Sequence, residues 1–531
     1  MATNQTSNIT SAFIDLATYD ALEQFMYGGQ KAISYFVRFH TKATWFSHIP
    51  TKLSNTGTAA FGSTSWSSSV SRAGDYLLYS WLRLTIPAVA LKFSLANFTK
   101  GKKADDSEMP AVMNAKKDQA DDVYRLRWTR NFMHNLIKEA LLNFNDITAA
   151  RLDNYFLDFW SAYTTPAGKQ VGYDAMIGNI PSLINPSSAS NYSPSGAARG
   201  STVSYAYDST GSEKSGDMIP SGVILPSVTL NLPLPFFYAR DTGVALPTAA
   251  LPYNDMKIQF NFRNLTDLLI VDNISKKTSR PATTADLDIG FLNQAQLSQV
   301  EVWCDYAIVS NYERKQMGLK PRDILIEQVQ TASVNGFNSN SASGISNFDI
   351  RFSHAIKALF FGLQNGTNSS EWSNYSCASP IPVIDRKDNA TFLGMDMAPP
   401  GCVDPLFSTA IKYENSVRQD LSSDYYSMIM PYYHAVSIPT GNKVGYHMFS
   451  YALDLASVDP IGSTNFSKLT NVSFQFQLGQ VAKTAVQSLE AERAFNQPQG
   501  YGVPQQFNVI IIGLNHNVVR ISGGALGFPV L

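Results

Sequence analysis

The stretch MKIQFNFR, residues 256–263, decides the fold class. Met256, Ile258, Phe260 and Phe262 alternate with Lys257, Gln259, Asn261 and Arg263, the period of two of a strand with one buried and one polar face. Residues 472–478, VSFQFQL, repeat the pattern, and the denser apolar runs at 76–86, 357–363 and 509–514 suit inner strands. Gly, Pro, Asn and Ser turns separate these runs at short intervals, which argues for sandwiches or barrels. Helical signals are few. Leu152, Phe156, Trp160 and Tyr163 recur at helical spacing, predicting a helix with Thr148 as N-cap and Pro166 as its stop. Shorter helices are expected near 15–25 and 484–495, and long loops at 100–122, 186–222 and 365–401. A domain boundary is expected near 311–323. There a closing strand (302–309) gives way to a charged, turn-prone stretch holding Gly318 and Pro321, and a new strand opens at 324–329.

The bulk composition bounds the function. A chain of 531 residues holds three average domains or two large β domains, and 44% hydrophobic residues suffice for sizeable cores. Lys and Arg total 41 against 42 for Asp and Glu, a net charge of -1. Charged residues are 16% of the chain, against about 25% in an ordinary soluble domain. A surface this poor in repulsion suits packing against other subunits, or an ordinary low-charge β protein. Direct nucleic-acid binding is not expected, because the longest basic cluster, at 100–103, sits beside Asp105, Asp106 and Glu108. Cys304, Cys377 and Cys402 are odd in number and widely spaced, which is no disulfide framework, although Cys377 and Cys402 would pair if they met in space. The polar opening, 1–11, lacks a signal-peptide pattern, and the longest apolar stretch, 222–237, is broken by Pro226, Pro233 and Pro235. A soluble chain made in the cytosol is expected. Its sequons, among them Asn4, Asn97, Asn365, Asn374 and Asn471, are then chance products of an Asn-, Ser- and Thr-rich sequence.

No enzyme motif is present: no GxSxG, HExxH, P-loop, GxGxxG or EF-hand pattern. His40, His48, His134, His354, His434, His447 and His516 are scattered, with no pair at metal-ligand spacing. Asp454 and Asp459 read as a strand end and its turn rather than paired catalytic carboxylates. Gly523 and Gly524 read as the chain's last turn rather than a phosphate loop, since no Lys follows. Tyr425, Tyr426, Tyr432 and Tyr433 form an aromatic cluster, read as core or interface packing ahead of a sugar-stacking platform. The expectation is a structural protein, not an enzyme, with no catalytic, cofactor-binding or metal residues and no cofactor. The alternative is a glycan-binding or glycan-processing jelly-roll protein.

Nine segments carry a more specific signal. They are NITSAFIDLATYD (8–20), SRAGDYLLYSWLRL (71–84), RWTRNFMHNLIKEA (127–140), LPLPFFYARDTGVALPTAALPYNDMKI (232–258), PRDILIEQVQTA (321–332), FDIRFSHAIKALFF (348–361), GYHMFSYALD (445–454), GSTNFSKLTNVS (462–473) and NHNVVRISGGALGFPVL (515–531). Together and in order these resemble the major capsid proteins of iridoviruses, within the large nucleocytoplasmic double-stranded DNA viruses. The resemblance implies a mainly β double jelly roll: two tandem eight-stranded barrels with few short helices and long loops. With the boundary above it implies an N-terminal arm at 1–30, a first barrel at 31–318 and a second at 319–531. It further implies a homotrimeric, pseudo-hexameric capsomer that tiles an icosahedral shell around an inner membrane and a DNA genome. Neighbouring capsomers and minor capsid proteins would be partners, with assembly in cytoplasmic virus factories. The arm would face the membrane and the minor proteins. The loops at 100–122, 186–222, about 275–296 and 479–504 look divergent, and the first two are candidates for host-receptor contact.

Overall fold

A computed structural model of the chain describes residues 9–38, 40–92, 124–145, 147–184, 224–273, 278–338, 344–366, 369–377, 382–385, 389–392, 404–414, 416–439, 443–479, 482 and 506–528. The chain divides into two compact units, Met1–Trp45 and Phe46–Leu531.

The smaller unit holds two short helices, Ile9–Ala17 and Ala21–Met26, where the sequence suggests one across 15–25. The break follows from Asp20. Its side chain accepts a 2.8 Å hydrogen bond from the Ala21 N–H and forms a capping box with Glu23, so a new helix starts there. Among the described residues of this unit no apolar side chain is buried, and Phe13, Leu16, Leu22 and Phe25 are all exposed.

The larger unit repeats one strand order twice. Short strands aside, the first eight main strands are Phe46–Lys52, Trp66–Ser69, Tyr76–Ile86, Ile137–Phe144, Ile147–Asp153, Val228–Leu234, Met256–Phe262 and Ser298–Val309. One sheet takes them in the order first, eighth, third, sixth. The other takes second, seventh, fourth, fifth, with the short strand Ser54–Thr56 added at its edge. The next eight are Arg322–Thr331, Ile345–Ile350, Ala355–Asn365, Leu406–Tyr413, Ser416–Ser422, His447–Ser450, Val472–Leu478 and Gln506–Ser522. They pair in the same two orders. Every pairing is antiparallel. Each set is a jelly roll, and the fold is a double jelly roll.

The period-two reading places the right faces inside. Along Met256–Phe262 the four apolar side chains are buried and the polar ones between them are exposed or half-buried, and Val472–Leu478 alternates likewise. Trp66 packs on Phe260 and Phe262, each at 5.7 Å between rings, in the first core. Phe361 meets Phe474 at 5.3 Å and Phe476 at 5.8 Å in the second. Burying one such ring is worth about 1.5–3 kcal/mol.

Three expectations change. The stretch after Val309 is a helix, Asn311–Leu319, rather than a turn. Ser310 accepts from the Glu313 N–H at 3.4 Å, so a Ser-x-x-Glu start signal outweighs the charges, and Arg314 is held by Asp75 at 2.6 Å. Thr148 is not an N-cap. It lies in the strand Ile147–Asp153, which pairs along Ile137–Phe144, and Asp153 caps the helix Asn154–Thr164 instead. Pro166 stops that helix but begins another, Ala167–Ile177, because proline suits a helix start. The helix expected at 484–495, the loops at 100–122 and 186–222, and Cys402 lie outside the described residues.

Candidate functional site: the seam and the outer faces of the jelly rolls

The helix Asn154–Thr164 leaves the fifth strand of the first jelly roll and lies on the third strand of the second. Asp153 sets its direction: Oδ1 accepts from the Phe156 N–H at 2.7 Å, and Oδ2 accepts from the Thr331 hydroxyl at 2.6 Å. From that start Phe156, Phe159 and Tyr163 fall on one face and pack on Phe360, with ring separations of 6.5, 6.2 and 5.7 Å. Phe159 also meets Tyr375 and Tyr446 at 5.1 and 5.0 Å. The strand Ala355–Asn365 is therefore buried on both faces, except at its first residue.

Buried charge closes the seam at three places. Arg127 donates to Asp272 at 2.7 Å and to Glu371, which belongs to the second jelly roll. Burial by itself lowers the pKa of that guanidinium, but the two carboxylates overcome it and the net shift is upward. Asp158 accepts from Asn131 and bonds His134 Nδ1, both at 2.7 Å, and accepts from Ser373 of the second jelly roll at 2.6 Å. Arg240 stacks 3.4 Å over the Trp160 ring and lies 3.2 Å from Glu327, which also accepts from the buried Lys357 at 2.6 Å. Burial pulls Arg240 down to about 10, with Glu327 opposing. Charges buried in this way hold one geometry, because each loses its solvation unless its partner stays in place. The arrangement is a rigid clasp between two barrels.

Several residues weighed for chemistry take part in turns and packing. Asp454 accepts from the Ala456 N–H at 2.9 Å, closing a turn after the strand His447–Ser450. Gly523 and Gly524 take φ of +61° and +84° in the turn between Gln506–Ser522 and Ala525–Gly527. Tyr426 is buried against Phe361 at 5.3 Å, whereas Tyr432 and Tyr433 are exposed. Cys304 and Cys377 are buried, and burial pushes both thiols up. Sequence spacing missed one grouping, since its members come from three elements: Ser423, His447 and Asp404. The serine hydroxyl at 2.7 Å and the Asp404 carboxylate at 2.9 Å both meet His447 Nε2, while Nδ1 has no partner. A relay triad needs the two on opposite ring nitrogens, so this is a core hydrogen-bond knot. Among the described residues no group of three or more His, Cys, Asp or Glu side chains is placed to hold a metal ion, and no helix is long and apolar enough to cross a membrane.

Known proteins agree with this architecture. Residues 34–309 match the family described as "Major capsid protein N-terminus", and residues 313–527 match "Large eukaryotic DNA virus major capsid protein". The chain is 47% identical to the major capsid protein of Costelytra zealandica iridescent virus, over 99% of both chains. It is 45% identical to that of Invertebrate iridescent virus 6 and 40% identical to that of Lymphocystis disease virus 1 (isolate Darai), again over 99% of both chains. The fold is similar to a quasi-atomic model of the PBCV-1 virus capsid, with a TM-score of 0.63 and 17% identity over 94% of this chain and 100% of that one. It is also similar to the Faustovirus major capsid protein, with a TM-score of 0.61 and 12% identity over 93% of both. These relatives are shell proteins, so the structural reading stands over the glycan-binding alternative, and the protein is not an enzyme. The chain belongs to the family of iridovirus major capsid proteins, the structural proteins of the virion shell.

Proposed function

We propose that three copies of this chain form a pseudo-hexameric capsomer, and that capsomers tile an icosahedral shell around an inner membrane and a DNA genome. The supporting observation is the repeated strand order: two jelly rolls of like topology, clasped rigidly, offer six similar sides from three chains. A closed three-fold ring requires unlike patches to meet, the first jelly roll of one copy against the second of the next. The working parts are an arm at 1–30, a first barrel at 31–318 and a second at 319–531. Synthesis in the host cytoplasm, assembly at virus factories, absence of direct nucleic-acid contact and receptor contact through the outer loops belong to the same reading.

The arm carries the remaining partners. Phe13, Leu16, Leu22 and Phe25 are exposed on its helices, and apolar surface of that kind marks an interaction site. We assign it to minor capsid proteins and the inner membrane surface. Deleting residues 1–30 is expected to leave the capsomer intact and to abolish pelleting with the minor proteins or with anionic vesicles. Full retention of both would remove the arm from assembly.

Native mass by light scattering tests the capsomer. Three times 58.4 kDa gives about 175 kDa, stable to dilution because permanent interfaces bury more than about 2,000 Å². A chain that stays at 58.4 kDa at high concentration overturns self-assembly into trimers.

A further inference from the structure

The two jelly rolls share a strand order, yet among the described residues only the second has a third strand buried on both faces, while the third strand of the first leaves Tyr79 and Arg83 exposed. In the second jelly roll, Phe360 lies on the third strand, opposite Met448 on the sixth and Ile512 on the eighth. The helix that follows the fifth strand of the first jelly roll covers it with Phe156, Phe159 and Tyr163. In the first jelly roll, Trp81 takes the like place on the third strand, opposite Pro233 on the sixth and Trp303 on the eighth. Trp81 stacks on Trp303 at 6.1 Å and meets Tyr79, which is 49% exposed, at 6.3 Å. Beside them opens a cleft of about 430 Å³, lined by Tyr79, Trp81, Trp160, Thr164, Pro233 and Pro235 among others.

The counterpart lies in the second jelly roll. The fifth strand of the second jelly roll, Ser416–Ser422, is an edge strand and is also followed by helical turns, Tyr425–Ile429 and Met430–His434. Their outer side presents Ile429, Tyr432 and Tyr433 at 47%, 68% and 72% exposure. Tyr432 and Tyr433 meet edge to face at 5.0 Å, a preformed aromatic knob. One jelly roll thus has an aromatic socket that the helix Asn154–Thr164 borders on one side, through Trp160 and Thr164, and that stays open at Tyr79, and the other has helical turns with an exposed aromatic knob.

We propose that the turns Tyr425–His434 of one copy dock, through Tyr432 and Tyr433, on the Tyr79–Trp81–Trp303 face of a second copy. This repeats between chains the contact that Asn154–Thr164 makes within the chain. The inference rests on the capsomer reading and deepens it by naming the two patches that meet. The knob and the socket are different surfaces, so the contact is head to tail and closes into a ring at a fixed rotation per copy. Tyrosine and tryptophan at the centre of an apolar contact are the side chains that dominate interface energetics, and their rings pair edge to face or offset. The in-chain contact also explains why the seam cannot serve twice: the helix Asn154–Thr164 already fills it.

The test uses the full-length chain. Tyr433→Cys and Trp81→Cys copies, tagged differently and co-expressed, are treated with a short bismaleimide. The expected result is a covalent heterodimer whose cross-linked peptide joins positions 433 and 81, with none from a control pair bearing Cys at 433 and at exposed Tyr312. Separately, Tyr432→Glu/Tyr433→Glu is expected to lower the native mass threefold with an unchanged circular dichroism spectrum. Tyr79→Glu, on the opposite patch, is a second variant with the same expected result. A wild-type chain of trimer mass, with no 433–81 link between the Cys-bearing copies and all variants still trimeric, overturns this inference and leaves the capsomer reading standing. A wild-type chain of monomer mass, with no link between the Cys-bearing copies, overturns both.

Discussion

The Thr331 hydroxyl donates a 2.6 Å hydrogen bond to Oδ2 of Asp153 across the junction of the jelly rolls, while Oδ1 of the same carboxylate caps the helix that fills the junction. One side chain thus ends a strand, starts a helix and binds the neighbouring barrel. Asp153→Ala is expected to cost about 2 kcal/mol, the sum of a lost cap and a lost buried hydrogen bond, read as a lower urea midpoint. Asp153→Asn, which keeps an oxygen for the Phe156 N–H and offers an amide N–H that the Thr331 hydroxyl can accept, is expected to recover most of the loss.

Arg127 is the most exposed to loss of a partner, since it is buried against two carboxylates, Asp272 and Glu371. Arg127→Ala removes the guanidinium that those two carboxylates share, and a broken buried pair costs about 3–5 kcal/mol. The expected outcome is a lower melting temperature and faster proteolysis within residues 366–404. Arg127→Lys is expected to restore little, because an ammonium cannot make the forked contact.

His516 gives the seam a pH dependence. Burial pulls its pKa below the ordinary histidine value of 6.5, with Glu327 raising it and Lys357 lowering it. A base whose folded-state pKa is depressed contributes stability that is complete above pH 6.5 and is lost as the pH falls through the folded value. The melting temperature of the wild type is expected to fall between pH 7.5 and pH 5.5, and that of His516→Gln to fall less. Equal slopes would remove His516 from the acid response.

Gly445 permits a close backbone approach in the second jelly roll. It adopts φ +82°, and a Cβ there would sit 1.9 Å from the Tyr375 carbonyl oxygen. Gly445→Ala is expected to cost more than about 4 kcal/mol, a steric clash added to left-handed strain, and to abolish soluble expression. Gly479→Ala, where the nearest atom is 3.6 Å away, is the control expected to express normally.

The strands were legible because their signal is local. A run such as Val472–Leu478 needs only its own alternation to declare a buried and a polar face, and the structure buries the apolar set. The helix Asn311–Leu319 was hidden by its charges, although Ser310 and Glu313 carried a start signal. The misplaced cap at Thr148 has a different origin: pairing with Ile137–Phe144 keeps residues 147–153 extended, and no local reading registers a partner strand.

Sequence by itself determined the fold class, the absence of enzyme motifs and, through nine collinear segments, the resemblance to a family of shell proteins. Those properties are written in local periodicity and residue identity. Tertiary structure alone decided the seam. Arg127 and Glu371 are 244 residues apart, and Asp158 and Ser373 are 215 apart. It also decided which aromatic clusters are core and which are surface: Tyr426 and Tyr433 sit in one short segment, yet only Tyr426 turns inward. Burial is a property of what packs on a residue from elsewhere in the chain, and spacing along the sequence carries no record of it.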